Sequence, residues 1–231
     1  MKKVFCFVIV LSALMFAFTG TSSAQKKKDF KGIITFEITY GGKIEAAQLA
    51  QLPKTSVMKI FGNKTRVDIS QGPANITQIA DGDTKSTLML LDVMGQKFAI
   101  KQTKQQIEDE LKDQPAPIIK YIDETKEIAG YKVKKAEILT ISKDNKDTTK
   151  VICWYTEDIG SQDMNFTDQF RGLKGQALEY VINAQDIIMT YSAKEIKKGG
   201  VKETDFLQPT DYKEITKEEL QNMFGGGGEG E

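Results

Sequence analysis

The chain has 231 residues, with 32 Lys and Arg against 32 Asp and Glu, two Cys, one Trp and no His. The missing histidine excludes a Ser-His-Asp triad, a Cys-His dyad and imidazole-ligated zinc or haem. The charge balance removes the electrostatic case for nucleic acid, and two cysteines build neither a disulfide framework nor a four-cysteine metal site.

Met1, Lys2 and Lys3 precede an almost unbroken apolar run over residues 4–18, and Thr19-Gly20-Thr21-Ser22-Ser23-Ala24 follows. A positive start, an apolar middle and small residues at positions −3 (Ser22) and −1 (Ala24) predict a signal peptide over residues 1–24, cleaved after Ala24. An anchoring span needs about 20 apolar residues, and this run is shorter. Cys6 lies inside the signal, which argues against a lipid-anchored mature protein. The mature chain then starts at Gln25, carries 30 basic against 32 acidic residues, keeps Cys153 alone and has no transmembrane segment. Its expected location is the periplasm, association with an outer membrane, or the medium.

The mature chain opens on period two. Phe30, Gly32, Ile34, Phe36, Ile38 and Tyr40 alternate with Lys31, Ile33, Thr35, Glu37 and Thr39, the pattern of a half-buried strand. Residues 42–52 carry Ala46, Ala47, Leu49 and Ala50 and stop at Pro53, a short helix candidate. Residues 57–61 and 65–69 flank Gly62-Asn63-Lys64, a hairpin loop, with Val67 and Ile69 facing one way and Arg66 and Asp68 the other. Residues 76–80 and 84–91 flank a second hairpin signal, Asp81-Gly82-Asp83, and a strand over 96–100 follows Met94-Gly95. Thr103-x-x-Gln106 resembles a capping box that opens a helix over 104–111, and Pro115 and Pro117 prevent its extension. Residues 133–141 and 149–155 flank a polar turn, and 178–183 and 187–196 flank Ala184-Gln185-Asp186. Residues 164–170 carry no decisive period. Thr216-x-x-Glu219 is another capping box, with Leu220, Met223 and Phe224 at i, i+3 and i+4. The tail Gly225 to Glu231 (GGGGEGE) is low-complexity and reads as disordered.

Connections this short demand antiparallel neighbours. The reading is therefore a mainly β, single domain over residues 25–224: a curved antiparallel sheet, apolar on one face, forming a half-barrel capped by a few short helices. Those helices are too few and too short to fill a large concave face, so an apolar hollow is expected. Phe36, Ile38, Met58, Val67, Ile69, Met89, Phe98, Trp154, Tyr180 and Met189 are the candidate lining residues. For each, ordinary core is the competing assignment. The methionines suit an adaptable lining, because thioether side chains repack around varied apolar shapes.

Chemistry is sparse. Cys153, within Val151-Ile152-Cys153-Trp154-Tyr155, reads as a small buried hydrophobe with no base to activate it. Ser56-Val57-Met58-Lys59 matches the S-x-x-K pattern, but in a strand Ser56 and Lys59 point to opposite faces. The Glu108-Asp109-Glu110 and Glu157-Asp158 clusters suit a solvated surface better than a catalytic pair, which must converge across a cleft. Asp144-Asn145-Lys146-Asp147 lacks the Gly and distal Glu of a calcium loop. N-x-S/T sequons occur at Asn63, Asn75 and Asn165, and Asp147-Thr148-Thr149 looks like a bacterial O-glycosylation acceptor at Thr148. No catalytic residue, metal ligand or cofactor site emerges.

Three segments look familiar: residues 125–136 (TKEIAGYKVKKA), 153–159 (CWYTEDI) and 172–180 (GLKGQALEY). In order and spacing they resemble exported Gram-negative proteins of the GLPGLI type and neighbouring families of unknown function. Lys174 and Gln176-Ala177 stand where that type more often has prolines, and Val133 where many members have Cys. The resemblance implies a relative of the LolA/LolB lipoprotein carriers, a helix-capped half-barrel around an apolar cavity, and no established catalytic residues. Two functions remain open. One is a non-enzymatic carrier of a lipid, lipoprotein acyl chain or other apolar molecule. The other is an envelope interaction module with a packed core, docking a protein partner through a sheet edge or the helix of Leu220, Met223 and Phe224. A hydrolase using carboxylates alone has no positive support.

Overall fold

The computed structural model describes residues 30–142, 148–167, 169–184 and 187–224. The signal-peptide segment, the Asp144–Asp147 stretch and the Gly-rich tail lie outside the described residues.

Twelve strands form one sheet: β1 (Lys31–Gly42), β2 (Thr55–Phe61), β3 (Lys64–Gln71), β4 (Ala74–Asp81), β5 (Ser86–Val93), β6 (Gln96–Gln102), β7 (Ile118–Ile128), β8 (Tyr131–Ile141), β9 (Thr148–Thr156), β10 (Gln176–Ala184), β11 (Ile187–Lys198) and β12 (Lys213–Glu214). Their spatial order is β12-β6-β5-β4-β3-β2-β1-β11-β10-β9-β8-β7, antiparallel except for the short β12–β6 pair. The two edges, β12 and β7, are not paired with each other, so the sheet is open and curved. This is the mainly β, helix-poor half-barrel expected from alternating strands and short connections, except that β5 and β6 pack apolar residues on both faces.

The helices are α1 (Ala46–Leu49), α2 (Lys104–Leu111) and α3 (Lys217–Phe224). The candidate helix over 42–52 shrinks to the single turn α1, which buries no residue and has no side-chain cap. Both capping boxes form. At α2 the Gln106 N–H donates to Thr103 Oγ1 and the Thr103 N–H donates to Gln106 Oε1 at 2.8 Å. At α3 the Glu219 N–H donates to Thr216 Oγ1 at 3.0 Å, and the Thr216 N–H to Glu219 Oε2 at 2.7 Å. Of the ambiguous stretch 164–170, the described residues are mostly irregular, entered through a 3-10 turn at Gln162–Met164. Among the described residues no helix is long and apolar enough to cross a membrane.

Two strands escape the sequence pattern, β7 and the two-residue β12. β7 is an edge strand whose alternation is broken by Lys120, Asp123, Glu124, Lys126 and Glu127, and its register slips between Ile122 and Thr125. A charged, bulged edge resists pairing with another chain. It joins β8 through Ala129-Gly130, both with positive φ (49° and 79°), as the tightest hairpin turns demand.

Cross-strand register explains the two faces. Ile34 pairs with Met58, Met58 with Val67, Val67 with Gln78, Gln78 with Met89, and Met89 with Ile100. That row and its neighbours two residues away form the concave face. The opposite face of β3–β6 is covered by the C-terminal segment, where Phe206 packs on Ile79, Leu90 and Ala99. Arg66 donates to the Asp205 carbonyl at 2.8 Å and Lys59 lies 3.5 Å from the Asp205 carboxylate, which fixes this cover. The chain then passes the β6 edge as β12 and returns on the concave side, where Ile215 and Leu220 pack with Phe98 and Ile100.

Over the other half of the sheet the concave face is filled. Ala136, Ile138, Val151, Cys153 and Tyr155 pack against Phe170 and Leu173 of the β9–β10 connection. Ile34, Phe36, Ile60, Ile159, Met164 and Leu178 belong to the adjoining core cluster.

Candidate functional site

Where the β9–β10 connection stops short of β3–β6, a hollow of about 530 Å³ remains. Ligand pockets run from about 300 to 1,000 Å³. Its floor is the row Met58, Val67, Gln78, Met89 and Ile100, flanked by Ile69 on one side and by Thr65, Ala80, Thr87 and Gln102 on the other. Phe36, Tyr180, Ile182 and Tyr191 form a wall from the central strands. Tyr180 and Tyr191 stack with ring centroids 4.8 Å apart, and Phe170 meets Tyr180 edge-on at 4.9 Å. Met164, Asn165, Thr167 and Gln169 overhang from the connection, and Lys217 of α3 closes one end.

The overhang is tied down at both ends. Asn165 Nδ2 donates to the carbonyls of Leu173 (3.0 Å) and Gly175 (2.8 Å), and the side chain is buried. On the far rim Ser161 Oγ donates to Asn63 Oδ1 at 2.7 Å, and Lys85 reaches the Asp163 carboxylate at 2.7 Å.

Of the ten residues read from the sequence as lining, Phe36, Met58, Val67, Ile69, Met89 and Tyr180 stand on the hollow's surface. Ile38 and Met189 share its face but lie beyond it: Ile38 is buried opposite Tyr191, and half-buried Met189 is paired with Ile182 and Tyr40. Phe98 is buried under Ile215 and Leu220 instead of lining the hollow, because the returning C-terminal chain covers that end of β6. Trp154 belongs elsewhere. It alternates with the inward Cys153 and Tyr155, so its indole points away from the hollow and lies beneath the Lys126 and Lys135 ammonium groups, 4.4 and 5.7 Å from the ring.

Sequence pattern passed over the polar part of the lining. Gln78 and Gln102 sit on the apolar face, each two residues along its strand from an inward isoleucine (Ile76 and Ile100), a signal that the inward face is partly wet. Asn165, Gln176 and Lys217 come from a turn, a strand start and a helix start, where no period identifies a face.

The chemistry of this wall is that of hydroxyls, amides and one ammonium, and no Asp or Glu is among the described residues lining it. The acidic clusters face solvent: Glu110 pairs with Lys217 at 2.9 Å and Glu157 with Lys134 at 3.0 Å. Ser56 is buried on the hollow side while Lys59 reaches the opposite side, so the S-x-x-K pair is split. Among the described residues no three His, Cys, Asp or Glu side chains gather as a metal site would require.

Burial without a compensating partner pushes the Cys153 thiol up to about 12. Iodoacetamide at pH 8 should therefore leave Cys153 of the native protein unmodified and alkylate it in guanidinium. Alkylation of the folded protein at the denatured rate would contradict a buried Cys153.

No protein-family model matches the chain, and no curated protein matches it. Among solved structures, the chain is similar to a β-barrel-like protein of the domain of unknown function DUF1849 from Brucella abortus. The match covers 74% of this chain and 98% of that one, with 8% identity and a TM-score of 0.29. At that score the likeness carries no argument about function. None of these comparisons shows the GLPGLI-type or LolA-like kinship, whose sharpest part is residues 125–180.

Proposed function

We propose that this is an exported envelope protein that holds an elongated apolar molecule, such as a lipid or lipoprotein acyl chain, in the hollow and does not transform it. One observation carries the reading: the concave face of β2–β6 leaves about 530 Å³ unfilled, over a floor of Met58, Val67, Ile69, Met89 and Ile100. A protein interior without a guest packs close to the density of an organic crystal, so a hollow of this size on an apolar floor is a place for one. Met58 and Met89 can repack around chains of different shape. The absence of catalysis is supported by a lining with no carboxylate among its described residues, a chain without histidine and a thiol held protonated by burial. Export is supported by residues 1–24, and kinship with the LolA/LolB carriers by residues 125–180. The hollow weighs against a packed interaction module.

Nile red, a neutral dye that brightens in apolar surroundings, tests the reading. The protein lacking residues 1–24 should brighten and blue-shift it saturably. Val67→Trp, which plants an indole in the middle of the floor, should abolish the signal while thermal unfolding stays cooperative. Native mass spectrometry of protein isolated from the envelope should show a bound apolar passenger. No dye signal and no passenger would leave the packed module as the better account.

A further inference from the structure

Lys217 is the one cation among the described residues that line the hollow. Its Nζ and the Nε2 of Gln102, another lining residue, converge on a single oxygen, Oε1 of Glu110, at 2.9 and 2.8 Å. Glu110 comes from α2 and is not part of the lining. The two lining donors are thus already arranged around a carboxylate oxygen, the geometry of charge-assisted recognition. Gln102 also accepts from Thr87 Oγ1 at 3.2 Å, which holds its amide in place. One row deeper the pair Thr87 and Gln102 gives way to Met89 and Ile100, so the polar end runs directly into the apolar floor. The Lys217 hydrogen bond, ahead of the opposing effect of burial, holds the Glu110 carboxyl below its ordinary range, with Gln102 adding to it. Both members of the ion pair are about half-exposed (50% and 48%), and pairs of that kind contribute little to stability and exchange readily.

We infer that the guest is an acyl chain ending in a carboxylate, and that Lys217 and Gln102 receive its head group in place of Glu110. This deepens the proposal that the hollow binds apolar chains and rests on it. The chain lies along the Met89, Val67 and Met58 floor, and the Glu110 side chain swings out to solvent. In the unliganded protein Glu110 keeps Lys217 from standing unpaired at the hollow's end.

Displacement of Nile red by dodecanoate, dodecanol and dodecyl phosphate tests the assignment on the protein lacking residues 1–24. Wild type should bind dodecanoate roughly tenfold more tightly than dodecanol, the scale of one hydrogen bond to a charged group. K217M should bring the two to equal affinity by weakening the acid alone. E110Q, which removes the competing charge, should strengthen dodecanoate several-fold, on the scale of a weak surface ion pair, and leave dodecanol unchanged. Circular dichroism melts confirm that both variants are folded, as expected for exposed side chains. Equal binding of acid and alcohol by wild type overturns the head-group assignment and leaves the apolar hollow standing. Tighter binding of dodecyl phosphate overturns the choice of a carboxylate. Binding of none of the three overturns both this inference and the proposal beneath it.

Discussion

Replacing Gly175 with alanine is expected to destabilise the protein by about 3 kcal/mol, the combined scale of a strained backbone and an overpacked contact. Gly175 has φ +113°, a region closed to side-chain-bearing residues, and an added Cβ would land on the Thr156 carbonyl oxygen and within 3.0 Å of Glu157 Cα. Neither obstacle is a flexible side chain that could turn aside. The Gly175 carbonyl also accepts from Asn165, so a shift of this backbone loosens the turn that overhangs the hollow. In a chain of this length each kcal/mol lowers Tm by roughly 2–4 °C, so calorimetry should show a fall of about 6–12 °C. Gly95→Ala makes the comparison: its φ is +84° but a Cβ there meets nothing within 4 Å, so it should lose less. Equal losses at the two positions would mean that the close approach to Thr156 is not decisive.

Phe36→Ala should be the most damaging truncation on the hollow's wall, at about 3–5 kcal/mol. The ring is 1% exposed, packs in the central core cluster with Ile34, Ile60 and Leu178, and meets Tyr180 edge-on with centroids 6.1 Å apart. Its removal differs from an ordinary core deletion because the vacated space opens into an existing hollow. The variant should therefore melt lower yet still brighten Nile red, and accept bulkier guests. Leu178→Ala, in the same cluster but away from the hollow, should lose about 2–5 kcal/mol with no change in dye binding. If both variants, folded at the assay temperature, lose dye binding alike, Phe36 does not border the binding space.

Much of the architecture was legible because it is encoded in neighbours along the chain. Alternation marked the inward residues of β1 and β3, Gly and Asp marked hairpin turns, and the Thr103-Gln106 and Thr216-Glu219 boxes marked two helix starts. β7 was not legible, because an edge strand has one neighbour to satisfy and can interrupt its pattern with charge. Trp154 was misplaced by its bulk: a large aromatic suggests the interior, but its position between inward Cys153 and Tyr155 settles its direction. Phe98 was misassigned for the opposite reason. Its face was read correctly, but Ile215 and Leu220, far along the chain, cover it.

By itself, then, the sequence determined a mainly β, helix-poor sheet with an apolar concave face, a buried thiol and the lack of imidazole chemistry. These follow from local periodicity and from composition, which need no knowledge of distant contacts. Tertiary structure decided which half of the concave face is filled and which half is hollow. That outcome depends on where the β9–β10 connection and α3 come to rest, and they are held by long-range contacts such as the Ser161–Asn63 hydrogen bond and the packing of Leu220 on Phe98 and Ile100. Contacts of that separation leave no period in the chain. They place one ammonium and one amide at the end of an apolar floor.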